Sequence, residues 1–290
     1  MNQFSISAYG ALGDGTTDDA PAIQRAIDAC AESGGGRVTV PSGKTFSSGT
    51  IQLRSFVELH LEGGATLAAS PHDDAYTLRR ATTGLADERP DDDPDLSTML
   101  ITADRCTGVS ITGMGTIDGG GRHFIIADLD HAYEMQHVRP YTIYLLNCER
   151  VVIQDVVIRD AAYWTVRLSG CRGVRIHGIT IRNDLKLPNS DGIDIDTCQR
   201  VTISDCDIIT GDDGICIKTC RESTQFGICE DLTIIGCTIV STSTGICFGS
   251  EIAAPIRNCV ISSCVISASN RGLAMQLSEG NTRASTSTAT

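Results

Sequence analysis

The sequence predicts an all-β fold, a right-handed parallel β-helix (solenoid) with a short N-terminal capping helix. An apolar phrase, I-x-x-h-x-I, recurs five times between Ile153 and Ile266. Each interval carries strand and turn signals without helical periodicity. The composition agrees: 29 glycines and an aromatic share of 4% in 290 residues suit stacked short strands better than a helical bundle.

At the N-terminus, Gly13-Asp14-Gly15-Thr16-Thr17-Asp18-Asp19 precedes Ala22, Ile23, Ala26, Ile27 and Cys30 at helical spacing. Asp18 or Asp19 is placed to cap that helix, and Pro21 is tolerated in its first turn. Arg25 stands where a calcium loop needs its bidentate Glu, so the Asp-rich stretch reads as a turn and cap. Strands are predicted at Val38–Val40, Ile51–Leu53 and Val57–Leu61, each alternating and bounded by Gly, Pro or Ser. An acidic insertion over about residues 70–98 interrupts the pattern, as a solvated loop or a wall closing one end of a groove.

The phrase then appears as Ile153, Val156, Ile158; Ile176, Ile179, Ile181; Ile203, Cys206, Ile208; Ile234, Cys237, Ile239; and Ile261, Cys264, Ile266. The steps are 23, 27, 31 and 27 residues, the range of a repeat architecture. Cys148, Cys171, Cys198 and Cys229 lie five residues before the first Ile of a coil. Small buried thiols explain both cysteine columns without a metal, and no paired C-x-x-C or H-x-x-x-H spacing is present. The expected organisation is one β-helix domain over 1–276 and a frayed tail over 277–290. The ladder stops near Gln276, so the chain is expected to be truncated.

Bulk properties limit the partners. A net charge of −13 argues against nucleic acid and anionic membrane. No apolar run approaches the roughly 18 residues that span a bilayer. Thirteen cysteines without an export signal suggest free thiols in a reducing compartment, hence a cytoplasmic protein, or a secreted one if a leader is missing. No cofactor is implied, and the oligomeric state stays open.

The candidate chemistry sits in Asn189-Ser190-Asp191-Gly192-Ile193 and Gly211-Asp212-Asp213-Gly214-Ile215. A third register, Val166, Ile193, Ile215, Ile246 and Leu273, has Trp164, Asp191, Asp213, Thr244 and Arg271 two residues upstream. Stacked coils lie about 4.8 Å apart, so Asp191 falls beside Asp213, with Asp212 next in sequence. Carboxylates that close cannot all ionise cheaply. One can then protonate a glycosidic oxygen while another activates water, with room for that water between coils. Trp164 reads as a sugar platform or as core. Lys218 and Gln276 end equivalent strands, three residues after Ile215 and Leu273.

At these residues the chain resembles the polygalacturonase family of pectin-degrading glycoside hydrolases, glycoside hydrolase family 28. The family's Asn-Thr-Asp-Gly and Asp-Asp phrases appear as Asn189-Ser190-Asp191-Gly192 and Asp212-Asp213, alongside Gly113–Gly119, Arg139-Pro140 and Trp164. The resemblance implies a right-handed parallel β-helix and metal-independent inverting hydrolysis of pectic carbohydrate. It makes Asp212 the general acid and has Asp191 with Asp213 position the water. Two departures stand out. Thr244 occupies the place of the histidine in the family's Gly-His-Gly phrase, and Ala274-Met275-Gln276 replaces Arg-Ile-Lys. The cations that hold a uronate carboxylate are therefore missing there, and Lys218 and Arg271 are the candidate substitutes. Thr244, Gln276 and Trp164 complete the expected substrate contacts. A catalytically impaired relative and a carbohydrate-binding β-helix are the alternatives.

Overall fold

A computed structural model describes residues 2–77, 79–80, 96–136 and 138–276. Their strands assemble into three parallel sheets of nine, eight and nine strands, with two short antiparallel pairs outside them. One coil shows the plan. Arg172–His177 lies in the first nine-stranded sheet, Thr180–Arg182 in the other, and Ile193–Asp196 in the eight-stranded sheet. The chain then turns through Thr197 into Gln199–Ser204 of the next coil. This is a parallel β-helix.

The periodic positions are the inward rows. Ile153, Ile176, Ile203, Ile234 and Ile261 pair in register on successive coils. Ile158, Ile181, Ile208, Ile239 and Ile266 do the same, as do Val166, Ile193, Ile215, Ile246 and Leu273. Side chains alternate across a strand, so the inward apolar rows of the three sheets meet along the axis and form a continuous core. Cys148, Cys171, Cys198 and Cys229 fill corners of that core, and all thirteen cysteines are free thiols.

The corner after each strand of the first sheet explains a sequence detail. Asp155, Gly178, Asp205, Gly236 and Ser263 all have left-handed backbone, φ between 54° and 69°. A Cβ at Gly178 would lie 2.8 Å from Asp155 Oδ1, and one at Gly236 the same distance from Asp205 Oδ1. Each Asp carboxylate folds over its neighbour's corner, and glycine there avoids both that contact and the strain of left-handed backbone.

The helix Ala20–Glu32 buries Ala22, Ile23, Ala26, Ile27 and Cys30 against the first coils. Asp19 is its N-cap by position, but its carboxylate instead accepts the N–H groups of Leu12 and Gly13, while Asp18 accepts that of Ala20. Strands form at Gly36–Val40, Ile51–Gln52 and Val57–Leu61, matching the pattern. Much of the expected insertion over 70–98, and the whole tail over 277–290, lie outside the described residues. Among the described residues no helix is long and apolar enough to cross a membrane.

Candidate active site

The site grows from the outer face and leading edge of the eight-stranded sheet, where Val166–Ser169, Ile193–Asp196, Ile215–Thr219, Thr244–Ile252 and Arg271–Met275 follow one another. Register carries the loops with the strands. Thr165 donates its N–H to the Asp191 carbonyl (2.8 Å), Gly192 to Asp213 (2.9 Å) and Gly214 to Thr244 (2.8 Å). Thr244 pairs with Arg271. Trp164, Asp191, Asp213, Thr244 and Arg271 therefore form the predicted row. Glycine follows the acids because the coils nearly touch there. A Cβ on Gly192 would sit 2.3 Å from the Gly214 carbonyl oxygen, and one on Gly214 would sit 2.5 Å from that of Gly245.

Asp191, Asp212 and Asp213 come together as the motif suggested: one oxygen of each lies within 4.8 Å of the others. Asp212 Oδ2 accepts the Asn189 N–H (3.2 Å) and Oδ1 that of Asp213 (3.0 Å). Asp213 Oδ1 accepts the Thr244 N–H (3.0 Å). Asp191 is buried, and its Oδ1 has no hydrogen-bond partner. Burial, then the neighbouring Asp213 charge, pushes the Asp212 carboxyl above the usual range. Burial, then Asp194, pushes Asp191 well above it, against the opposing pull of Lys218. Asp191 and Asp212 thus hold protons where isolated carboxyls would have lost them.

Lys218 lies beside this trio, with only 7% of its side chain exposed. Its Nζ is 3.4 Å from Asp194 Oδ1, 3.5 Å from Glu251 Oε2 and 4.0 Å from Asp191 Oδ2. It also stands 3.9 Å from the centroid of the Trp164 ring, a cation–π contact. Burial works against its charge, but the carboxylates around it win and keep it an ammonium. Arg167 approaches the same indole at 4.9 Å, and Tyr163 stacks parallel to it at 5.7 Å. Trp164 thus seats two cations, and its indole is half-buried.

Sequence reasoning missed the layer beneath. Arg167 is fully buried, donates to Tyr141 Oη (2.8 Å) and Ser169 Oγ (3.2 Å), and pairs with Glu222 (3.1 Å) and Asp196 (3.4 Å). Asp194 is fully buried beside it in the outward row and accepts no well-aligned hydrogen bond on either oxygen. Burial pushes its carboxyl up to about 7, with Lys218 and Arg167 pulling the other way. The Ile193-Asp194-Ile195-Asp196 alternation reads as polar side out, and nothing in it signals that the outer face is also covered. Arg139 was quoted only as part of a motif. Its guanidinium donates to the carbonyls of Ala162 (2.9 Å) and Pro188 (3.0 Å) and to Asn189 Oδ1 (3.0 Å), tying together the loops that carry Trp164 and Asp191.

The remaining expected contacts lie farther out. The Thr244 side chain is buried and its hydroxyl has no hydrogen-bond partner; it reaches the acids through its N–H. Arg271 is exposed in the same row, one coil beyond Thr244 and two beyond Asp213. Gln276 is half-buried and donates its N–H to the Phe248 carbonyl (2.7 Å). Neither joins the acid cluster.

Residues 30–288 match the sequence profile of glycosyl hydrolases family 28. A probable polygalacturonase of Vitis vinifera is 32% identical over 219 residues, covering 74% of this chain and 44% of that protein. An exo-poly-alpha-D-galacturonosidase of Dickeya chrysanthemi is 27% identical over 262 residues, covering 73% and 41%. The chain thus spans less than half the length of either relative. The crystal structure of a hyperthermoactive exopolygalacturonase from Thermotoga maritima superposes with a TM-score of 0.78 at 25% identity, over 94% of this chain and 68% of that one. With the profile spanning most of its length, this chain belongs to glycosyl hydrolases family 28.

Proposed function

We propose that the protein hydrolyses O-glycosidic bonds in galacturonic-acid-containing, pectic carbohydrate by acid/base catalysis. The observation that carries this is the convergence of Asp191, Asp212 and Asp213 oxygens within 4.8 Å of one another. A water hydrogen-bonded to two carboxylates at about 2.8 Å each fits between oxygens up to about 5 Å apart. Asp191 and Asp213 hold that water, and Asp212, less buried than either, gives its proton to the leaving oxygen. Inversion at the anomeric carbon follows from attack by a water held opposite the leaving group. Relatives named as exopolygalacturonase and exo-poly-alpha-D-galacturonosidase support release from the chain end. Arg271, the exposed cation of the row, is the residue to meet a substrate carboxylate, because Lys218 is already surrounded by three.

A second assignment, with Asp191 as the acid, is favoured by its unpartnered, buried Oδ1 and by a stronger upward push than that on Asp212. Oligogalacturonide hydrolysis tests the function, and an aryl glycoside with a good leaving group separates the roles. Asp212→Asn should lower oligosaccharide turnover by about 10²- to 10⁴-fold yet retain much of its rate on the aryl glycoside, which needs no protonation. Unchanged oligosaccharide turnover in Asp212→Asn defeats the proposal. Retention of the aryl rate by Asp191→Asn instead moves the acid to Asp191.

A further inference from the structure

Cys216 and Cys247 are 31 residues apart in sequence but paired in register on adjacent strands. Both are fully buried on the outer face of the site sheet, unlike the inward cysteine columns. One Asp213 oxygen and the two Sγ atoms all lie within 4.8 Å of one another. Both thiols converge on one acceptor, the Gly249 carbonyl oxygen, at 2.8 Å from Cys216 Sγ and 3.8 Å from Cys247 Sγ.

We infer that Cys216, Cys247 and Asp213 form a site for a thiophilic divalent cation such as zinc, whose occupancy blocks the reaction centre by capturing Asp213. Donors in a tetrahedral zinc–thiolate site stand roughly 3.5–3.8 Å apart, so these three, within 4.8 Å of one another, need to draw together by no more than about 1.3 Å. Two soft sulfurs with one carboxylate select zinc or cadmium over magnesium and calcium. Four carboxyl groups, Asp191, Asp194, Asp212 and Glu251, face the same region; Asp191 and Asp212 can release the protons they hold as a cation binds, and three of the four already surround Lys218. The Arg167 charge is matched separately by Asp196 and Glu222. On binding, each thiol releases its proton to solvent and forms a metal–sulfur bond, and no electron is transferred. The Gly249 carbonyl, already next to both sulfurs, or a water can complete the shell.

The inhibitory part rests on the proposed hydrolysis, whereas the binding part does not. The probe is cadmium alone, added to the reduced full chain while the thiolate-to-cadmium charge-transfer band is followed in the ultraviolet. One equivalent is expected to bind. The band should vanish in Cys216→Ser/Cys247→Ser and persist in Cys171→Ser, a thiol of the inward column. Asp213→Asn should weaken binding by about tenfold or more. Cys216→Ala and Cys247→Ala, which only remove the sulfur, repeat the test should the serine pair fail to melt cooperatively. A band that survives loss of both thiols, or no band in the folded wild type, overturns the site. In activity assays zinc should inhibit the wild type and spare the Cys216→Ser/Cys247→Ser variant; equal inhibition of both overturns the blocking role. A wild type that binds cadmium but cleaves no pectic substrate leaves this site standing and defeats the proposed function.

Discussion

Asp194 makes the sharpest demand on stability. Its carboxyl is fully buried, and burial moves it from 3.8 to about 7 in the folded chain. A carboxyl raised on folding binds more protons in the native than in the unfolded state between those values, so native stability falls as pH rises. Below about pH 4 both states are protonated and there is no cost. At about 1.4 kcal/mol per pH unit, the penalty is about 1.5 kcal/mol at pH 5 and about 4 kcal/mol at pH 8, above the folded value. Asp194→Asn keeps the shape and removes the titration. The wild type should therefore lose about 2.5 kcal/mol more than Asp194→Asn between pH 5 and pH 8. Asp212 titrates in both proteins and cancels in the difference; Asp191, which Asp194 pushes up, is raised less in the variant, so its share of the loss adds to the difference. Urea unfolding of the two at both pH values reads it. Losses equal within about 0.5 kcal/mol, or a larger loss in the variant, would refute the reasoning.

Other outcomes follow from the same geometry. Thr244→Val replaces a buried hydroxyl that lacks a partner, so it should leave stability unchanged or raise it by about 1 kcal/mol in thermal melts. Gly214→Ala brings a methyl to 2.5 Å from the Gly245 carbonyl oxygen and 2.4 Å from Ile239 Cγ2, and should cost about 2–3 kcal/mol in denaturant unfolding while lowering turnover. Arg139→Met unties the Trp164 and Asp191 loops. We expect about tenfold lower turnover, partly restored by added guanidinium ion; no loss of turnover would remove Arg139 from the positioning of the site.

Most of the architecture was legible because a β-helix writes its geometry periodically. Ile153 and Ile176 share a face since each coil repeats the same strand, so counting residues located both the inward rows and the Asp191–Asp213 adjacency. What was not legible lies on segments that do not repeat. The turn Arg221–Phe226 and the strand end near Glu251 differ from coil to coil, yet they cover the outer face and bury Asp194, Arg167 and Cys216. A periodic reading treats those positions as solvent-facing. The cationic surroundings of Trp164 escape it for a related reason, because Lys218 comes from a strand two coils away. Sequence spacing likewise does not show that Cys216 and Cys247, a whole coil apart, lie side by side.

The coil-by-coil register also bears on how the site survives folding and fluctuation. Contacts join each coil chiefly to the one before and the one after, so stability behaves as a chain of nearest-neighbour couplings. The acids come from two adjacent coils, and their hydrogen-bonded support from the coils on either side. Native structure nucleating anywhere along the axis assembles the site once it has spread across those few coils. A defect many coils away alters the total stability of the protein, while the alignment of the acids answers only to the coils immediately around them.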